Sequence, residues 1–240
     1  MDFRCYIAMT ATEFSSAAEL PKYPAWMACH YASYGTGLSN TPKNIPSDTM
    51  LIMNDRVPPF SHDPEYIKEQ LYALVEENNI PAVLLDFQQP DQPTNSALAN
   101  LLSKHLPCPV AVSELYADDT DAAVFINCPP PHTPLSAHIR KWKSREIWLE
   151  IAQECETINI SHNGAYIKST TMRKIPEPVF QDNTIHTNYH CEVFSDHILL
   201  TLQRTQEQLS EILTQAQAAG ICCAVGLHQQ LKGHFPCRIL

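Results

Sequence analysis

The chain has 240 residues, of which 44% are hydrophobic and 18% charged, and this composition is typical of a globular protein with a substantial core. Its formal net charge of −10 argues against a nucleic-acid partner, because phosphates require a basic face. No apolar run approaches the ~20 residues that span a bilayer, and the first residues lack the apolar core of a signal peptide. We therefore predict a cytoplasmic protein without membrane contact.

Short apolar runs bounded by turn residues recur along the chain, and most are separated by amphipathic stretches. Most runs are continuous rather than alternating, which is typical of strands covered on both faces in a parallel sheet. The seven clearest runs predict strands at 25–31, 49–55, 81–87, 108–114, 122–128, 146–152 and 222–228. Residues 3–9 are a further candidate strand.

Two of the intervening helices are marked by their caps. Asp63 is the predicted N-cap of the first, with Pro64 at its first helical position. Thr205 and Gln208 have the spacing of a capping box for the second, and Gly220 is suited to follow its last turn. Weaker helical patterns lie at 94–105 and 134–142.

Residues 156–203 interrupt this alternation of strands and helices. An alternating pattern surrounds Asn163–Gly164, which is a strong hairpin signal. A second hairpin is predicted to turn near Ser195–Asp196. We interpret this segment as an antiparallel β insertion that covers one mouth of the fold or serves as an interface.

The order of elements predicts an α/β fold. Seven or eight core strands with helices between them favour a single (β/α)8-type, TIM-like barrel over residues 1–240, complete or nearly so, with the β insertion late in the chain. An open, doubly wound sheet is the main alternative.

A glycine pair follows the strand at 25–31 and raises the question of a nucleotide loop. Gly35 and Gly37 fit the first two positions of a dinucleotide fingerprint, but Asn40 stands at the third. Pro42 and Pro46 interrupt the helix whose N-terminus would bind the pyrophosphate. We therefore predict a turn at the end of the strand and no cofactor.

Metal binding is also disfavoured. The segment "HTNYHC" contains His186, His190 and Cys191, but its surroundings predict a strand, and no second ligand pair has zinc spacing. We predict no metal, and the nine cysteines, several of which lie in apolar runs, are expected to be reduced.

Polar side chains stand at the carboxyl ends of the predicted strands, where barrels place their active sites. Asp86 and Glu114 each follow an apolar run, and they belong to consecutive strands. Two carboxyl groups facing one cavity are what acid–base or glycoside chemistry requires. The further candidates for ligand binding are His30, Tyr31, Tyr34, Asp55, Gln88 and Glu150.

The stretch "AVLLDFQ" resembles the catalytic strand of family-18 glycoside hydrolases, the chitinase-like barrels, whose pattern is D-x-x-D-x-D-x-E. The resemblance implies that Asp86 is the last Asp of that pattern, which orients the acetamido group of the substrate. It places Gln88 on the catalytic acid and Leu84 on the preceding Asp. Because an amide cannot donate and recover a proton, the resemblance implies loss of chitinase-type hydrolysis.

These observations favour a glycoside-hydrolase-like barrel that binds or processes a carbohydrate at the carboxyl ends of its strands. It is either degenerate or uses a different carboxylate pair, with Asp86 orienting the substrate and Glu114 as the candidate acid. The alternative is a non-enzymatic cytosolic protein that assembles through the β insertion. An enzyme acting on a phosphate-bearing small molecule has no phosphate loop to support it, and the oligomeric state stays open.

Overall fold

A computed structural model describes residues 3–59, 61–171 and 174–231. The strands, numbered in chain order, are β1 (Arg4–Met9), β2 (Pro24–Tyr31), β3 (Leu38–Ser39), β4 (Met50–Asn54), β5 (Val83–Asp86), β6 (Val110–Ser113), β7 (Ala123–Ile126), β8 (Ile147–Ile151), β9 (Glu154–Ser161), β10 (Gly164–Thr171), β11 (Phe180–Asp182), β12 (Thr187–Val193), β13 (His197–Gln203) and β14 (Cys223–Leu227). The α-helices are α1 (Ala11–Ser16), α2 (Pro64–Asn78), α3 (Pro93–His105), α4 (Leu135–His138), α5 (Gln206–Ala218) and α6 (His228–Leu231). Two 3-10 helices span Glu114–Asp119 and Ile139–Trp142.

Eight parallel strands close into a barrel in the order β1-β14-β8-β7-β6-β5-β4-β2. β1 pairs with β14 on one side and with β2 on the other, where Ile7 lies opposite Pro24. The TIM-like barrel is thereby confirmed, and each of the eight predicted strands is present. The alternative of an open doubly wound sheet is wrong, because such a sheet would leave two edges unpaired.

The barrel strands separate two apolar layers because successive side chains point to opposite faces. Leu84, Phe125 and Trp148 pack inside the barrel. Leu85, the neighbour of Leu84, packs outside against the helices, together with Leu71 of α2. Both faces of each strand are therefore buried, which explains why the sequence shows continuous apolar runs.

The helix caps form as predicted. The Asp63 side chain accepts a hydrogen bond from the Glu65 N–H at the start of α2. Thr205 and Gln208 form a reciprocal capping box on α5, and Gly220 follows with a positive φ of 87°. The predicted helix at 134–142 is divided between the short α4 and a 3-10 helix.

The predicted β insertion lies between β8 and β14 in the chain and forms a five-stranded antiparallel sheet, in the order β10-β9-β13-β12-β11. Its first hairpin pairs Ser161 with Gly164. The second pairs Val193 with Ile198. The second turn lies where the sequence predicts it, and the first consists of His162 and Asn163, one residue before the predicted Asn163–Gly164.

A buried polar network joins this sheet to the barrel loop at 129–134. The Arg204 guanidinium donates hydrogen bonds to three carbonyl oxygens of the loop. The Thr187 hydroxyl donates to a fourth at 2.6 Å. The ring of His132 lies 2.7 Å from the buried carboxylate of Glu156 on β9. These contacts fix the sheet beside the carboxyl ends of the barrel strands.

Within the described ranges, no helix has the length and apolar character needed to cross a membrane. The eight cysteines in those ranges are free thiols. The histidines of "HTNYHC" diverge: His186 bonds Glu211 at 2.5 Å, whereas His190 bonds the Pro178 carbonyl at 2.9 Å.

Candidate functional site

The carboxyl ends of the barrel strands open on two adjoining cavities with volumes of about 560 and 290 Å³. Met27, Ile52, Asp86 and Gln88 line both of them, so the two cavities form one cleft. Its floor is the apolar interior of the barrel, and its rim consists of polar side chains that follow the strands. This combination is typical of sites for small polar ligands.

Asp86 and Gln88 occupy the centre of this cleft. Asp86 is the last residue of β5, and Gln88 lies two positions further on, so that both reach the same cavity. The Gln88 amide donates a hydrogen bond to the Asp86 carboxylate at 2.5 Å. Burial raises the pKa of Asp86; the hydrogen bond from Gln88 opposes this shift, and the nearby charge of Asp55 adds to it.

Asp55 fixes the segment that follows β5. One of its carboxylate oxygens accepts from the Gln88 N–H at 2.9 Å, and the other accepts from the Gln89 N–H at 3.0 Å. The Asn95 amide also donates to Asp55 at 2.9 Å, and the Tyr31 hydroxyl donates to Asn95 at 2.8 Å. Asp55 lines the larger cavity, but only 1% of its surface is exposed. Its main role is therefore to position Gln88.

The smaller cavity contains two more carboxyl groups, those of Glu150 on β8 and Glu154 on β9. Burial raises the pKa of Glu150, and the charges of Glu154 and Asp86 raise it further. A hydrogen bond of 3.3 Å from the Cys128 N–H opposes this rise. Burial also raises the pKa of Glu154. Three acids that are more easily protonated than in water therefore face one cavity.

Glu114 lies outside the cleft. It begins a 3-10 helix after β6 and accepts a hydrogen bond from the Trp142 indole N–H at 2.6 Å. Leu84 pairs with Ala111 in the barrel, so Ser113 is the residue level with Asp86. Glu114, one position later, faces the outer layer instead. The structure therefore does not bring the two predicted catalytic acids together.

The two aromatic residues at the end of β2 also lie away from the cleft. Tyr31 is completely buried in the outer layer, with its ring 6.2 Å from that of Phe87. His30 is 5% exposed and bonds the Asn40 side chain at 2.9 Å. Asn40 itself lines the larger cavity, so His30 contributes only through this contact.

The glycine segment forms a turn rather than a phosphate loop. β2 reverses into β3, and the Ala32 N–H donates to the Gly37 carbonyl at 2.9 Å. Gly35 has a φ of +91°, a conformation that favours glycine. Tyr34, at the tip of the turn, is 95% exposed and lines neither cavity.

Thiol chemistry at the cleft is disfavoured by burial. Cys128 is adjacent to Glu150, and burial raises the pKa of its thiol to about 12. Burial likewise raises the pKa of Cys29 to about 12. Because the thiolate is the nucleophilic form, neither residue is suited to covalent catalysis near neutral pH.

Solved structures share this architecture. The Bacillus cereus spore cortex-lytic enzyme SleL matches with a TM-score of 0.55 at 12% identity, over 94% of this chain and 70% of its own. The chitinase-like agglutinin RobpsCRA from Robinia pseudoacacia gives 0.57 at 12% identity, over 92% and 93%. A mutant GH18 chitinase from Cycas revoluta in complex with (GlcNAc)4 gives 0.53 at 10% identity, over 92% and 94%. The chain has the fold of the chitinase-like barrels.

No family model matches the sequence, and no curated protein is significantly similar to it. At such low identity the solved structures show the fold, which is a glycoside-hydrolase-like barrel. The resemblance to the chitinase-like barrels is confirmed at the level of the fold, and β5, which contains most of the stretch "AVLLDFQ", is the fourth barrel strand along the chain.

Several groups outside the predicted set of site residues also line the cleft of this chitinase-like barrel. Asn54 and Asn127 are polar residues at predicted strand ends, and each lies two positions after a strand residue that faces into the barrel. Arg56 and Gln89 follow strand ends but lack such a signal. Glu154 begins β9 three residues after the end of β8, and the path of the chain between these strands places it at the cavity, for which the sequence has no local signal.

Proposed function

We propose that this chitinase-like barrel binds a carbohydrate in the cleft at the carboxyl ends of its strands. The observation that supports this most directly is the Asp86–Gln88 pair, joined at 2.5 Å and facing both cavities. The family resemblance assigns to Asp86 the orientation of an acetamido group. The (GlcNAc)4 bound to the Cycas revoluta chitinase makes N-acetylglucosamine oligomers the first ligands to test.

Gln88 separates this cleft from a chitinase-type active site. Its amide donates to Asp86, and an amide has no proton that it can give to a glycosidic oxygen and recover. The same cleft can still hold a sugar, because hydrogen bonding and apolar contact do not need an acid. The name of the Robinia pseudoacacia protein, a chitinase-like agglutinin, is compatible with a binding role for such a barrel.

Isothermal titration calorimetry with the N-acetylglucosamine tetramer tests this proposal. We expect Asp86→Asn to weaken binding by roughly 10- to 100-fold, because a hydrogen bond to a charged group contributes about 1.5–3 kcal/mol. Asp121→Asn is the matched control, since Asp121 is exposed and precedes β7 at the opposite end of the barrel. Equal affinity of the Asp86→Asn and wild-type proteins, or no binding by the wild type, would contradict the proposal.

A second candidate function, assembly through the β insertion, is favoured by one surface. Eight small or apolar side chains of β10, β9, β13 and β12 lie in register on one face of the sheet. Val193 is 76% exposed, Ile167 45% and Ile160 40%. We define the apolar face as Ala165, Ile160, Ile198, Val193, Ile167, Ile158, Leu200 and Cys191. Because this face is apolar and several of its side chains are exposed, we propose a second copy of the chain as its occupant.

A further inference from the structure

The smaller cavity contains an acid to which carbohydrate binding alone gives no role. Glu150 projects from β8, three strands away from the β5 residue Asp86 around the barrel, and both side chains line this cavity. We infer that Glu150 is the proton donor for cleavage of a glycosidic bond in the cleft, a role that Gln88 cannot fill. This inference rests on the proposed binding of a carbohydrate.

The position of Glu150 suits a proton donor. Trp148, two residues earlier on β8, packs inside the barrel, so Glu150 points inward at the mouth. The Cys128 N–H holds one carboxyl oxygen at 3.3 Å. The cavity that it faces is also lined by the apolar side chains of Phe125 and Val225.

The surroundings of Glu150 also favour its protonated form. Burial raises the pKa of Glu150, and Glu154 and Asp86 contribute negative charge beside it. A general acid must hold its proton at working pH and release it in the transition state, which requires this direction of shift. Glu114, which the sequence suggests as the acid, is bonded to Trp142 outside the cleft and cannot take this role.

The reaction is a hydrolysis with water as the second reactant. The Glu150 carboxyl gives its proton to the glycosidic oxygen, while the bond between that oxygen and the anomeric carbon breaks and leaves its electron pair on the oxygen. Water then adds to the anomeric carbon, and the proton that the water loses restores the Glu150 carboxyl. The products are two shorter sugars.

Two substrates with different leaving groups distinguish a proton donor from a structural residue. Glu150→Gln should slow hydrolysis of the N-acetylglucosamine tetramer by about 10²–10⁴-fold, the usual contribution of general acid catalysis. It should slow a 4-nitrophenyl N-acetylglucosaminide far less, because nitrophenolate leaves without protonation. Glu146→Gln is the matched control, because Glu146 is exposed and immediately precedes β8, at the end of the barrel opposite the cleft. Its carboxylate accepts a hydrogen bond from the Trp148 indole at 2.9 Å.

The dependence of the hydrolysis rate on pH tests the same inference with the wild-type protein alone. Hydrolysis of the tetramer should decline as the pH rises through the pKa of Glu150, because the donor loses its proton there. Hydrolysis of the nitrophenyl substrate should lack this decline. A tetramer profile without the alkaline decline would overturn the assignment even if Glu150→Gln failed to fold.

Calorimetry on the same proteins separates the two proposals. If the wild type binds the tetramer but cleaves neither substrate, Glu150 is not a proton donor and carbohydrate binding stands. If Glu150→Gln cleaves the tetramer at the wild-type rate, the inference is also wrong. If the wild type binds no tetramer, both proposals fail together.

Discussion

At the scale of single residues, the cleft depends on a buried carboxylate that accepts three hydrogen bonds. Asp55 accepts hydrogen bonds from the Gln88 and Gln89 N–H groups and from the Asn95 amide, all between 2.9 and 3.0 Å. Tyr116 also donates to the Gln89 carbonyl. The segment after β5 is therefore held from two sides, and these contacts place Gln88 beside Asp86.

Replacing Asp55 tests this positioning role. Asp55→Ala leaves three donors without their acceptor in a site that is 1% exposed, so we expect the free energy of unfolding to decrease by about 2–4 kcal/mol. Urea denaturation measures this change. The control is Asp121→Ala at an exposed position, whose free energy of unfolding should stay within about 0.5 kcal/mol of the wild-type value. Equal stability of Asp55→Ala and the control would show that the three hydrogen bonds do not hold the segment.

At the scale of elements, one end of the β insertion is hydrogen-bonded to the barrel, whereas its apolar face is exposed. Arg204 and Glu156 anchor it to the barrel loop at 129–134, and Arg204 is only 3% exposed. Further along the strands, Ile160 pairs with Ile198 on the apolar face. Glu154, the first residue of β9, lines the smaller cavity, while the apolar face is exposed for contact with another molecule.

Self-association tests the role of the apolar face. Size-exclusion chromatography with light scattering should show a dimer of the wild-type protein and a monomer of the Ile160→Lys/Ile198→Lys variant, because a buried lysine would be desolvated in the interface. Tyr166→Lys is the matched control, since Tyr166 is 68% exposed on the opposite face of the sheet. A wild type that stays monomeric at the highest attainable concentration would contradict assembly through this face.

At the scale of the whole molecule, the concentration of acids at one mouth links stability to pH. The pKa values of Asp86, Glu150 and Glu154 are raised chiefly by burial, so the folded state retains protons that the unfolded chain has already released. Stability therefore declines as the pH rises from the ordinary carboxyl range through the raised pKa values. The net charge of −10 adds repulsion in the same direction.

Thermal denaturation measures this linkage. The Tm should be higher at about pH 5 than at about pH 8, within the range where carboxyl groups with raised pKa values titrate. The triple variant Asp86→Asn/Glu150→Gln/Glu154→Gln removes all three groups while preserving their approximate shapes, so its Tm should change less over the same interval. An identical pH dependence of the triple variant and the wild type would show that these acids are not the source.

The sequence by itself determined the elements of this protein, because their signals are local. Continuous apolar runs predict strands buried on both faces, and each of the eight predicted strands is in the barrel. Asp63, Thr205 and Gly220 mark helix ends through hydrogen bonds and backbone angles within a few residues. The "AVLLDFQ" stretch likewise located the central Asp86–Gln88 pair of the cleft.

Only the tertiary structure decided which side chains share a cavity. Glu114 and Asp86 both follow apolar runs, but the strand register turns one outward and the other inward, and that register involves residues far apart in the chain. Glu154 lines the cavity because the chain stays at the mouth between the end of β8 and the start of β9. Closure of the barrel likewise depends on the pairing of β1 with β2, a contact between strand edges that no local pattern specifies.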